Sequence, residues 1–280
     1  MLFFHDAKLN ITVAELVNSA SFQYGLTPFE TVRIYSNNNS MKLLLVNEHI
    51  ARFIRTLKIM NLQMQYSHND ILQRLTDILK DLPSSDDYLL KIMAFTLENS
   101  WGKNSKVEVC YSVKIATRRM PGERPAKVLT SSFRRPRADI MPVIAKVGAN
   151  YLSSRLAQVI ANEAGYDLTI FLNDMGCVEE SSGAAILAVE GDQYIKVKTM
   201  GGSLDSITLN YLTKNLRSLG YSVEERFLTL PDMYCCDALF LIGTSVEVLN
   251  IGALDHIVYD DKVLMAHAKL MLNILHSTDS

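Results

Sequence analysis

Lys146 stands in the run Pro-Val-Ile-Ala-Lys-Val-Gly, flanked by Ile144, Ala145 and Val147. A lysine among apolar neighbours is expected to be partly buried, and burial disfavours its ammonium form. The neutral amine is the form that condenses with an aldehyde. The same run also fits a lysine whose stem lies on the core edge while its tip reaches water. Glu179 and Glu180 form a second candidate group, between a turn and an apolar strand. Adjacent strand residues face opposite ways, so one carboxylate can point inward while the other meets solvent. Two surface acids would look the same. His49 reads as a packing or capping residue at a helix start, with no catalytic role. Arg134, Arg135 and Arg137 crowd around Pro136 and read as a solvated loop.

These residues need elements to position them. In the first part, 31–35 is β-branched and aromatic and predicts a strand, 36–40 a turn, and 41–46 its hairpin partner. From Asn47, a suitable N-cap, apolar residues at Ile50, Phe53, Ile54, Leu57 and Met60 recur at helical spacing. A second helix is expected over 70–82, ending before Pro83. Strands are expected at 88–96 and 106–115, joined by a turn at 98–103. The charged stretch 118–125 holds Pro121-Gly122 and Pro125 and reads as a linker. This divides the chain into 1–118, a linker 119–125, and a larger domain 126–280. Beyond the linker the chain alternates. Helices are expected at 149–164, 206–219 and 262–276, with Gly165 and Gly220 stopping the first two. Strands are expected at 127–131, 167–172, 184–189, 194–198, 223–228, 238–242 and from 257 onward. Two α+β domains with a cleft for a cofactor is the expected architecture.

Composition narrows the function. A net charge of −2 supplies no basic footprint for nucleic acid. The four cysteines, two of them adjacent, lack CxxC spacing, so neither a zinc site nor a disulfide framework is expected. Metal-free, reduced and cytoplasmic is the expected setting. The start, MLFFHDAKLN, has no basic region before a long apolar run, and no stretch reaches the roughly 18 apolar residues of a membrane helix.

Four ordered runs resemble one family. AKVGANYLSSRLAQVIANEAGYDLTIFLNDMGCVEESSGAAILAV (145–189) resembles the signature of the class IV aminotransferases. YGLTPFETVR (24–33) is similar to that family's YGxxxFExxR block, and HIARFIRTL (49–57) to its HxxRLxxS block. VEERFLTLPDMYCCDALFLIGTSVEV (223–248) resembles its VxERxLxxxxLxxADxxFxxGTxxEV block. The family covers branched-chain aminotransferases, D-amino-acid aminotransferases and 4-amino-4-deoxychorismate lyase. The resemblance implies a two-domain fold-type IV enzyme, D-amino-acid aminotransferase-like, with pyridoxal 5'-phosphate (PLP) in the interdomain cleft.

The resemblance also implies residue roles. Lys146 would hold the cofactor's aldehyde carbon and then carry protons as base and acid. Tyr151 would lie near the cofactor's phenolic oxygen, and Glu180 would keep its pyridine nitrogen protonated. Arg52, the helix-start amides of Ile207 and Thr208, and the Thr244 hydroxyl would bind phosphate. The amides of Ser245 and Val246 would face the substrate carboxylate. Departures stand at Leu26, Thr27 and Pro28, Ala185, Thr199 and Met200, Ser206, Leu209 and Asn250. The expected partners are an amino acid, a 2-oxo acid and a second copy of the chain, with no nucleic acid and no membrane. The implied reaction is transamination, possible branched-chain substrates included. An aminodeoxychorismate lyase is the alternative, and a non-catalytic binding protein on the same fold is a third reading.

Overall fold

The computed structural model describes residues 2–5, 11–37, 40–99 and 105–277. The turns expected at 36–40 and 98–103, and most of the first ten residues, lie partly or wholly outside these. The chain divides into two compact units: Met1–Thr117 with Ala145–Asn150, and Arg118–Ile144 with Tyr151–Ser280. The segment bearing Lys146 therefore belongs with the first unit, although the sequence suggests 126–280. Its backbone explains why. Phe29 N–H donates to the Lys146 carbonyl at 2.9 Å, Gly148 N–H to Thr27 O at 3.1 Å, and Lys146 N–H to Thr56 Oγ1 at 3.2 Å.

The first unit contains β1 (Leu2–His5), α1 (Val13–Asn18), α2 (Ala20–Tyr24), β2 (Phe29–Asn37) and β3 (Ser40–Leu43). It continues with α3 (Val46–Ile59), β4 (Leu62–Met64), α4 (His68–Lys80), β5 (Asp87–Phe95) and β6 (Ser105–Ala116). The sheet runs β1-β6-β5-β2-β3, with β4 beside β6. Alternation along the strands sends Val32, Ile34, Leu90, Ile92, Tyr111 and Val113 to one face. There they meet Ile50, Phe53 and Leu57 of α3 and Ile71, Leu75 and Ile78 of α4. The opposite face carries Phe29, Thr31 and Lys91, with Thr31 directly across from Lys91. Asn47 is not the cap of α3. The N-cap is Leu45, held left-handed at φ 50, without a side-chain cap bond. The hairpin strand stops at Leu43 and this one residue turns the chain straight into the helix, so Asn47 falls inside the first turn.

The second unit contains β7 (Ala126–Arg134), α5 (Leu152–Glu163), β8 (Leu168–Leu172), β9 (Val178–Ser181), β10 (Ala185–Glu190) and β11 (Gln193–Val197). Then come α6 (Ile207–Ser218), β12 (Ser222–Arg226), α7 (Leu230–Cys235), β13 (Ala238–Gly243), β14 (Glu247–Leu254), β15 (Ile257–Val258) and α8 (Asp261–His276). Its sheet runs β12-β11-β10-β13-β14-β7-β8-β9, with β15 on β14. Central strands β10 and β13 are buried on both faces at Leu187, Ala188, Leu239, Phe240 and Leu241, as their unbroken apolar runs require. The strand expected from 257 onward is only two residues long, because Asp260 caps α8 by accepting from Lys262 N–H and Val263 N–H.

Phe53 is fully buried where α3 meets the first sheet. Phe53→Ala should lower unfolding stability by about 3–5 kcal/mol, the usual cost of emptying a phenylalanine site. Urea denaturation checks this; a loss under about 1 kcal/mol would show that α3 is not seated on the sheet as described.

Candidate functional site

Within the first unit, Lys146 lies on an extended stretch bridged to β2, Pro28 opposite Val147. The stretch is held in shape by Asn150, whose buried Nδ2 donates back to the Ala145 carbonyl at 2.8 Å. The half-buried Lys146 amine lies 4.7 Å from the centre of the Phe29 ring. Lys91 reaches the same ring at 4.4 Å. Burial pushes the Lys91 ammonium below its ordinary range, and the charges of Lys146 and Lys114 push the same way.

Arg52 lies one turn before Thr56 on α3, the residue that bonds the Lys146 backbone. The structure thus brings Arg52 and Lys146 to one stretch of that helix. Arg52 is 8 % exposed, and its Nε and Nη2 donate to the two Glu30 oxygens at 2.7 and 2.8 Å. His49 Nδ1 is 3.2 Å from Glu30 Oε1, and Thr31 N–H donates to the same oxygen at 2.8 Å. Burial raises the Glu30 carboxyl, but hydrogen bonds from His49 and Arg52 and their charges outweigh it. The group is held well below the usual carboxylate range. Glu30 and His49, the first not singled out in the sequence and the second read there as a packing or capping residue, form a buried cluster with Arg52. Complementary charges in two otherwise apolar runs, FETVR and HIARF, were the available signal.

Within the second unit, both acids of β9 are buried, Glu179 at 2 % and Glu180 at 8 % exposure. The expectation that one of them meets solvent is therefore wrong. Glu180 Oε1 pairs with Arg135 Nη2 at 2.7 Å, and its Oε2 accepts from Leu204 N–H at 3.3 Å. Arg135 is also not in a solvated loop. It follows a β7–β8 register shift, bonds Leu172 O through its N–H, and stacks its guanidinium 4.5 Å from the Phe171 ring centre. Glu179 Oε1 accepts from Asn173 Nδ2 at 2.9 Å and from Met200 N–H at 3.0 Å.

Leu204 leads to α6. Ser206 caps that helix, its hydroxyl accepting from Leu209 N–H, and the Ile207 and Thr208 amides begin the first turn. Thr208 Oγ1 is 3.5 Å from Thr244 Oγ1. Thr244, Ser245 and Val246 form the turn between β13 and β14, where Gly243 pairs with Glu247. Glu247 is left-handed at φ 55. It is anchored by His276 Nε2 at 2.7 Å and by Arg119 N–H at 2.7 Å. Tyr151 is the N-cap residue of α5. Among the described residues, no group of three or more His, Cys, Asp or Glu could hold a metal ion.

Comparison with known proteins gives a coherent result. The family model for amino-transferase class IV matches residues 27–254. A protein of Aquifex aeolicus named as a probable branched-chain-amino-acid aminotransferase is 27% identical over 264 residues, 91% of this chain and 84% of that one. The branched-chain-amino-acid aminotransferase of Escherichia coli K12 is 24% identical over 266 residues, 92% of this chain and 83% of the relative. The branched-chain amino acid aminotransferase of Thermobaculum terrenum, solved in its PLP-form, has the same fold. It superposes with a TM-score of 0.86 at 22% identity, covering 97% of this chain and 91% of that chain.

Glu30→Gln removes the charge facing Arg52 and should cost about 3–5 kcal/mol of stability near neutral pH, the usual cost of breaking a buried ion pair from one side. The folded carboxyl titrates below the unfolded value of about 4.3, so the pair contributes fully above that pH. The contribution is lost as pH falls through the folded value. Urea melts in steps from about pH 7 to about pH 3 should show the two proteins converging on acidification; a gap that stays constant would mean that Glu30 ionisation is not linked to folding.

Proposed function

The chain belongs to the class IV aminotransferases, and from that membership we propose that it is a PLP-dependent transaminase acting on a branched-chain amino acid and a 2-oxo acid. The observation that carries this reading is Lys146 itself. Its backbone is fixed on both sides, by Phe29 and Thr56, and its amine is set against an aromatic ring. The curated relatives, named as branched-chain aminotransferases, span most of the chain and support the substrate class.

The donor set of the second unit fits PLP. Two hydroxyls, of Thr208 and Thr244, meet only at the outer limit of a hydrogen bond, beside the capped start of α6. Such a pair and the Ile207 and Thr208 amides suit the oxygens of a phosphate. Bound PLP supplies an aldehyde that takes up the amino group and a protonated ring that draws electrons from the substrate's Cα. Lys146 would hold the cofactor through Nζ and move the proton taken from Cα. Glu180, kept in place by Arg135, would hold the proton at the pyridine nitrogen. Arg52 would add a cation for the phosphate while Glu30 fixes its fork. Tyr151 would hydrogen-bond the phenolic oxygen, and the Ser245 and Val246 amides would bind the substrate carboxylate.

Along α5, Leu152, Leu156 and Ile160 recur every fourth residue at 66%, 46% and 44% exposure. An apolar stripe of this kind suits a contact with another protein, here assigned to a second copy of the chain. Among the described residues no helix is long and apolar enough to cross a membrane. The four cysteines are free, and the proposed setting is a reducing cytoplasm.

Three experiments test the proposal. Borohydride reduction of the PLP-loaded protein should attach the cofactor to Lys146, and Lys146→Ala should abolish this; label on Lys91 instead would move the assignment. In an amino-donor panel with 2-oxoglutarate as acceptor, leucine, isoleucine and valine should be the preferred donors. Pyruvate release from aminodeoxychorismate without transamination would favour the lyase. Glu180→Gln should retain PLP yet lose turnover by about a hundredfold or more; full activity would remove the acid from the mechanism.

A further inference from the structure

Glu179 is a residue that membership of the family does not explain. It precedes the acid given to the pyridine nitrogen, and it is buried more deeply than that acid. Consecutive strand residues point to opposite sides, so Glu179 and Glu180 work on different neighbours. They nevertheless close on one segment. Glu179 Oε1 takes the N–H of Met200 at 3.0 Å, and Glu180 Oε2 takes the N–H of Leu204 at 3.3 Å. Both ends of a five-residue stretch are thereby tied to β9.

The middle of that stretch is fitted to the carboxylate. Gly201 is left-handed at φ +89. Gly202 approaches so closely that a Cβ there would lie 3.1 Å from Glu179 Cδ and 3.2 Å from Arg135 Cβ. The oxygen that takes Met200 N–H, Glu179 Oε1, also accepts from Asn173 Nδ2 at 2.9 Å. Asn173 is itself fixed, because its Oδ1 accepts from the N–H groups of Met175 and Cys177. The chain leaving Leu204 becomes the Ser206 cap of α6 two residues later, and Thr208 two residues after that.

The chemistry is costly if its only purpose is stability. Glu179 Oε2 is buried and has no hydrogen-bond partner. A carboxylate with an unsatisfied oxygen is a poor choice for a merely packed position. A carboxylate does accept backbone N–H groups more strongly than a neutral acceptor. A loop that must present amides and hydroxyls at a fixed place is where that strength has use.

We propose that Glu179 is a positioning residue for the cofactor's phosphate, clamping Met200–Leu204 so that the start of α6 stands where a phosphate can be bound. This rests on the reading of α6 as the phosphate end of the PLP site. Glu179 touches no reacting atom; it acts through the loop. Losing it frees the Met200 and Asn173 donors and unties the segment at one end, while Glu180 still holds Leu204.

The test uses full-length Glu179→Ala and Glu179→Gln, with PLP and pyridoxal, which lacks the phosphate, as probes. Glu179→Ala should bind PLP about tenfold more weakly, and pyridoxal within about twofold of wild type. Glu179→Gln keeps an acceptor oxygen and should stay within about threefold for PLP. Hydrogen exchange of the apo-protein is read in parallel. Amides of residues 200–209 should exchange faster in Glu179→Ala, while the β10 and β13 core keeps its wild-type protection. Equal losses for PLP and pyridoxal, or unchanged exchange at 200–209, would overturn the clamp. If wild-type apo-protein takes up no PLP, the aminotransferase reading fails, and the exchange comparison still decides whether Glu179 holds the loop. A general loss of protection in Glu179→Ala would shift the decision to Glu179→Gln, whose wild-type PLP affinity and exchange must then persist.

Discussion

Glu30 has no exposed surface, and a carboxylate in that position is tolerated only when its charge is matched. Arg52 provides the match from α3, His49 Nδ1 lies beside it at 3.2 Å from Glu30, and the Thr31 amide adds a donor from β2. The consequence is geometric. α3 cannot slide along the sheet without separating a bidentate pair at 2.7 and 2.8 Å. Because Thr56 on the same helix bonds the Lys146 backbone, the lysine inherits this register. The apolar core of α3 and α4 supplies cohesion without direction; the buried pair supplies direction. An amine proposed to meet one carbon atom needs both.

The second unit solves a related problem with backbone groups. The stretch before α6 belongs to no helix or strand, so its N–H groups lack partners from a ladder. Met200 and Leu204 find them on two adjacent carboxylates. Arg135 then balances the charge on Glu180 and packs on Phe171. The result is a polar cluster inside a largely apolar unit, in which the acid proposed to serve the pyridine ring is also an element of the scaffold. The same holds for Glu247. It sits at the end of the Thr244–Val246 turn, where a left-handed residue closes a three-residue hairpin, and its side chain is tied to both Arg119 and His276.

The periodic elements were legible in the sequence, and the reason is burial. α3, α4, β5, β6, α6 and α8 each repeat apolar residues at the period of their backbone, so strand alternation and helical spacing identify them. β9 and β14 were not visible as strands. β9 is Val-Glu-Glu-Ser, buried because its acids are matched from other elements. β14 carries Asn250 and Gly252 within its length. The short α1, α2 and α7 give too few turns to show a period. The site divided along the same line. Lys146, Glu180 and Arg52 are proposed from resemblance, which matches positions. Arg135, Glu30 and His49 were misread or passed over, since each owes its role to a partner at least 19 residues away by sequence number. Local composition carries no trace of such a partner, and an arginine beside a proline looks like surface until its acid is known.

Ser206 illustrates why a departure from a family pattern need not be a loss. The family's usual glycine would leave the first turn of α6 uncapped. Serine accepts the Leu209 amide with its hydroxyl, and its carbonyl accepts the Asn210 amide. The cap therefore takes up the third amide of the first turn, while those of Ile207 and Thr208, which come first, are directed out of the helix end. A helix start stabilised in this way does not depend on an anion to satisfy its N3 amide. The same cap that makes α6 self-sufficient also fixes where the first two amides point, so binding an anion there costs less ordering of the loop. Substitution at this position changes the means by which the turn is set, from backbone freedom to a side-chain bond; the Leu209 amide is taken up, and the Ile207 and Thr208 amides remain at the helix end.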